Sequence, residues 1–83
     1  MSALEELLQA LQHVDDQLAR GQQHLVHARR SLREAEAALT RIDPDHPETV
    51  VPPGLPRSKD RIEDTLTKVE HVTDALRDFA SRL

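Results

Sequence analysis

Cysteine, tryptophan and tyrosine are absent from this chain of 83 residues, and phenylalanine occurs once, at Phe79. Without cysteine there is no disulfide scaffold, no thiolate metal site and no thiol nucleophile. Strands draw on aromatic and β-branched side chains, so an aromatic share of 1% argues against a sheet protein. No run of about 18 apolar residues is present, which leaves no candidate for a transmembrane helix. The start, Met1-Ser2-Ala3-Leu4-Glu5-Glu6, lacks the basic segment and apolar run of a secretory signal peptide, so a cytoplasmic location is expected. Glycine occurs only as Gly21 and Gly54, too few for a phosphate-cradling loop or a nucleophile elbow.

Charge excludes a further class. Fifteen acids against eleven lysines and arginines give a formal net charge of −4, which does not favour the phosphates of nucleic acid. A chain of this length buries a modest share of its surface and is marginally stable alone. With no disulfide and no evident metal site, oligomerisation is the remaining common way to enlarge the core.

What is present is a repeat. Leu4, Leu11, Leu18, Leu25, Leu32 and Leu39 recur at every seventh position, and Leu7, Val14, Gly21, Ala28, Ala35 and Ile42 follow each by three. This alternation of +3 and +4 predicts a long helix in a coiled coil, with leucines at position a and the second set at d. Ser2 and Glu5 form a capping-box pattern, and Glu5 and Glu6 suit the positive end of the helix dipole. Pro44 disfavours helical geometry at Asp43, so the first helix is expected over 2–42, roughly 60 Å long. The small residues at d, with Ala3, Ala10 and Ala38 at g, predict close antiparallel packing against another helix. Gly21 is expected to mark a tight contact in preference to a bend; a break there, folding the helix on itself, is the alternative.

All five prolines lie in 43–57, together with Asp43, Asp45 and Glu48, which predicts an acidic loop with no helix in it. A second helix is expected over 58–82, with Ser58 as its N-cap. Its stripe is Ile62, Leu66, Val69, Thr73, Leu76, Ala80 and Leu83, flanked by Val72 and Phe79. Asp64–Lys68 and Asp78–Arg82 are i, i+4 pairs on its polar side. The expected fold is all-α: two helices in an antiparallel hairpin, forming one domain and dimerising into a four-helix bundle.

The two helices differ in length. Folded back from the loop, about 25 residues cover the first helix only to roughly residue 17. That leaves Leu4, Leu7, Leu8, Leu11 and Val14 without cover, each worth roughly 1.5–3 kcal/mol when buried. With Leu18 they are the expected oligomer interface. The partner is then a second copy (a homodimer or tetramer) or another helical protein.

Chemical motifs are sparse. His24 and His27 are i, i+3 neighbours but occupy heptad positions g and c, which share no inward face; they read as solvated surface residues. Ser2, Ser31, Ser58 and Ser81 stand in no nucleophile motif. No catalytic, cofactor or metal site is expected, nor a small-molecule ligand. Arg20, Arg29, Arg30 and Arg33 lie in an acid-free stretch, Gln17 to Arg33, that reads as a solvated face; phosphate binding there is the alternative, weakened by the lack of aromatic residues for base stacking. A membrane-surface role is disfavoured because the polar face is not rich in Lys and Arg.

Two helices joined at Pro53-Gly54-Leu55 in under a hundred residues resemble, in architecture, the WxG family of helical hairpins exported by type VII secretion. The resemblance implies an antiparallel hairpin, antiparallel dimers and export without a signal peptide. The chain departs from the family in having no tryptophan before Gly54 and no tyrosine for an export signal.

Overall fold

A computed structural model describes residues 2–83. The chain forms α1 (Ala3–Thr40), a single 3-10 turn (Pro47–Thr49) and α2 (Gly54–Ser81), with no strand among these residues. The two α-helices pack along each other as a hairpin. Its extents are 63 × 16 × 14 Å. The radius of gyration is 18.9 Å, against about 12 Å for a compact domain of this length.

The start of α1 follows its sequence signal. Ser2 is extended, and its hydroxyl oxygen accepts a hydrogen bond from the Glu5 amide at 3.1 Å, satisfying one of the amides that a helix start leaves unpaired. Glu5 and Glu6 occupy the first turn. The helix stops two residues before the expected boundary. The Arg41 amide bonds back to Ala37 and the Ile42 amide to Leu39, a tightening that commonly ends a helix.

The second boundary moves further. The loop was expected to run to residue 57 with Ser58 as N-cap, but α2 starts at Gly54 and is capped by Pro53. Ser58 lies inside the helix. Pro56 falls on the third helical residue, where a missing amide hydrogen loses no intrahelical bond. The ring also fixes a helical φ, and Pro53 itself sits at φ −58, ψ −23. Thus the dense prolines preorganise a helix start. Pro47 likewise opens the 3-10 turn.

The earlier start changes the pairing of the helices. Lys59 meets Glu36, Glu63 meets Arg33, and Arg77 meets Asp15. α2 therefore begins pairing about a turn sooner than expected and reaches Leu8 and Leu11, whose side chains line a groove with Leu76 and Ala80. Leu11 and Leu18 are half-covered by the hairpin itself, and Val14 stays exposed. Only Leu4 and Leu7 extend beyond α2.

No described residue is buried. Most of the half-covered helical residues trace one seam: Leu11, Asp15, Leu18, Leu25, Arg29, Leu32, Glu36 and Leu39 on α1, against Lys59, Ile62, Leu66, Val69, Thr73, Leu76 and Ala80 on α2. On α1 this seam follows positions a and e, where a and d were expected. Of the d residues, Leu7, Val14, Ala35 and Ile42 are exposed, while the small Gly21 and Ala28 are half-covered.

Gly21 does not break α1, which is continuous across it and has no positive φ there. The expected tight contact is absent as well, because a Cβ at Gly21 would meet no atom within 4 Å. Gly21→Ala should therefore stabilise the helix by about 1 kcal/mol. Denaturant titration followed by circular dichroism checks this; a loss of stability would show that the position is crowded.

Candidate interaction surface

The seam of the hairpin is held at three heights by ion pairs from Asp15 and Glu36 at e positions of α1 and from Arg33 at a b position beside it. Arg77 forks onto Asp15, with Nε donating to Oδ1 at 2.9 Å and Nη2 to Oδ2 at 3.4 Å. That geometry adds direction to the attraction. The hydrogen bond to Asp15 and the attraction of its carboxylate raise the Arg77 pKa above the ordinary guanidinium value. The sign is that of a cation gaining a partner: on the alkaline side, this contribution is lost only as pH rises above the ordinary arginine range. Lys59 Nζ donates to Glu36 at 3.0 Å, the most sheltered of the three pairs. Arg33 donates to Glu63 at 3.1 Å. These pairs set the register of α2 along α1.

Two further pairs, Lys68–Asp64 and Arg82–Asp78, lie on the outer side of α2 at the i, i+4 spacing visible in the sequence. They are exposed and stabilise weakly.

The large apolar side chains that the hairpin leaves exposed form the candidate surface. On α1 they are Leu4 (47% exposed), Leu7 (40%), Leu8 (40%) and Val14 (38%), with Ile42 at the far end. On α2 they are Val72 (49%), Phe79 (48%) and Leu83. Leu7 and Val14 each follow a leucine of the a line by three positions. Val72 and Phe79 likewise follow the seam residues Val69 and Leu76 by three. Two antiparallel helices are related by a pseudo-two-fold axis normal to the plane of the hairpin, and that axis keeps a given flank on the same side. Equal offsets therefore place both open lines on one face of the molecule.

The angle between seam and face follows from about 100° per residue. Positions a and e point together toward α2, and positions d and g point roughly 110° away from that direction. A helix with apolar lines on two such directions fits the corner of a four-helix bundle, where each helix has two neighbours.

The face is graded along its length. Its open end carries Leu4, Leu7, Val14 and Phe79. Its loop end carries Ala28, Ala35, Ala38 and Thr65, with Ile42 at the tip. Sequence reasoning named Val72 and Phe79 only as flanking residues. Their offset from the stripe was the available signal, but which side of the hairpin they join depends on which line α2 covers.

The other residues singled out in the sequence are dispersed. His24 and His27 are both exposed, and no group of three metal-ligating side chains forms among the described residues. In the arginine band, Arg33 is engaged by Glu63, Arg20 donates to the Asp16 carbonyl, and Arg29 is half-covered by the seam. The groove at Leu8, Leu11, Leu76 and Ala80 has a volume of about 280 Å³ and is open to solvent. Among the described residues no helix is long and apolar enough to cross a membrane.

No family model matches this chain, and no curated protein or solved structure matches it significantly.

The sheltered seam pair should couple more strongly than the exposed ones. A double-mutant cycle on Lys59 and Glu36 is expected to give about 1 kcal/mol, against about 0.3–0.5 kcal/mol for Lys68 and Asp64. Both should shrink in high salt, the exposed pair more. Equal couplings would remove the seam's shelter as the distinguishing factor.

Proposed function

We propose that this chain is a non-enzymatic helical interaction module, an adaptor or regulator that works by docking helix against helix. The observation that carries this is the apolar face left open by a hairpin in which no described residue is buried. A chain whose only shelter is one seam gains little from burial, while fixing each residue costs about 1–2 kcal/mol of conformational entropy. Covering the open face supplies the missing area. Recognition of this kind uses anchors spaced along a helix, and Leu4, Leu7, Leu8 and Val14 on α1 have that spacing. Leu11 and Leu18 support the surface from beneath, since they also pack toward α2. The arginine band is the weaker place for a partner, because Glu63 and the seam already engage two of its members.

A module of this kind is stable only when its face is covered. In a dilution series followed by circular dichroism, the chain at submicromolar concentration is expected to lose helicity and melt broadly. A sharp melt, with a midpoint above about 45 °C that does not change with dilution, would show that the hairpin stands alone and would end this reading.

A further inference from the structure

We propose that the occupant of the open face is a second copy of this chain, laid head-to-tail so that the open end of each hairpin covers the loop end of the other. This rests on the interaction-module reading and names its partner.

Area supports a partner of this size. A folded chain of 9.4 kDa exposes about 5,000 Å². This chain exposes 6251 Å². The difference, roughly 1,200 Å², exceeds the share of about 800 Å² that each partner contributes to a standard interface and falls within the range of obligate homodimers. A face running the length of a 63 Å rod, met by an equal face, can bury that much.

Shape supports the orientation. Apart from Ile42 at the tip, the loop half of the face carries small side chains and the open half bulky ones. Aligned in parallel, two copies would crowd Leu7 and Phe79 against their own counterparts and leave gaps between alanines. Head-to-tail, each bulky end meets a small end. The d and g lines of α1 interleave when the two-fold axis passes between Gln22 and Gln23. Leu7 then faces Ala38 of the partner subunit, Ala10 faces Ala35 of the partner subunit, and Val14 faces Ser31 of the partner subunit.

Charge supports the same register. Position c borders the d and g lines. The pairing that interleaves the core brings Glu6 beside Arg41 of the partner subunit and His13 beside Glu34 of the partner subunit. Within the described residues none of these four side chains takes part in an ion pair of the hairpin. The same pairing sets Arg20 beside His27 of the partner subunit, whereas a shift of one heptad would set Glu6 beside Glu34 of the partner subunit and Arg20 beside its own counterpart, joining like charges.

Light scattering on wild type, Leu7→Ala, Ala38→Leu and the double variant tests the register directly. Each single change spoils both symmetry-related layers, by a cavity or by overpacking, and should weaken dimerisation about tenfold or more. The double variant exchanges the large and small partners in each layer and should recover to within about threefold of wild type. Additive losses in the double variant would overturn the pairing.

Orientation has its own measurement, which the lack of native cysteine makes clean. Ala10→Cys and Ala35→Cys chains, mixed and oxidised, should form a crosslinked heterodimer. Ala10→Cys alone should not crosslink, since the two copies of that position stand about 37 Å apart in the head-to-tail dimer. Efficient crosslinking of Ala10→Cys to itself would mean a parallel dimer and overturn the proposal. A wild-type chain that remains monomeric at tens of micromolar would overturn it too. Helicity then separates the two ideas: a poorly helical monomer still calls for a different protein on the face, whereas a stably folded monomer defeats the interaction reading as well.

Discussion

Everything in this hairpin hangs on one apolar seam, the leucines at every seventh position of α1 against Ile62, Leu66, Val69 and Leu76 of α2. It is the only place where the two helices exclude water from each other, and it does so partially. A helix pair has no interior: each side chain in the seam keeps one edge in solvent. The hydrophobic contribution is therefore small for the number of residues ordered. Hence the chain's stability and its capacity to bind are linked, because the surface that would complete its core is also the surface on which a partner would rest.

Electrostatics then decides how the seam is aligned. A row of leucines facing a row of aliphatic residues tolerates a slip of one heptad at little cost. Asp15, Arg33 and Glu36 on one helix and Arg77, Glu63 and Lys59 on the other do not. A slip of seven residues separates every one of these pairs by about 10 Å. Charges at the edges of an apolar seam thus supply specificity of register more than energy, as expected for pairs that remain largely in water.

The prolines show how the same residue type can be read two ways. In 43–57 their density signals the end of helical structure, and Pro44 does lie just beyond the end of α1. Yet Pro53 and Pro56 sit at the start of α2, where the first four amides have no acceptor within the helix and a fixed φ is an advantage. Sequence spacing alone does not tell a terminating proline from an initiating one. The difference depends on whether the residues beyond it have an apolar line to pack, and Leu55 and Ile62 do.

The sequence by itself determined the all-helical class, the Ser2 cap, the end of α1 near Pro44, the a-line leucines and the stripe of α2. These follow from local geometry: a period of 3.6 residues, the steric demands of proline and the unpaired amides at a helix start. The tertiary structure alone decided that α2 covers positions a and e of α1 and leaves the bulky d residues Leu7, Val14 and Ile42 open. It decided also that Leu11 belongs to the hairpin, and that Leu7, Val14, Val72 and Phe79 share one face. Period locates an apolar line on a helix, but a helix with leucines at a, apolar or small residues at d and alanines at half of its g positions offers two directions of contact. Which one a neighbour takes is settled by the loop that delivers it and by the charges that border each line.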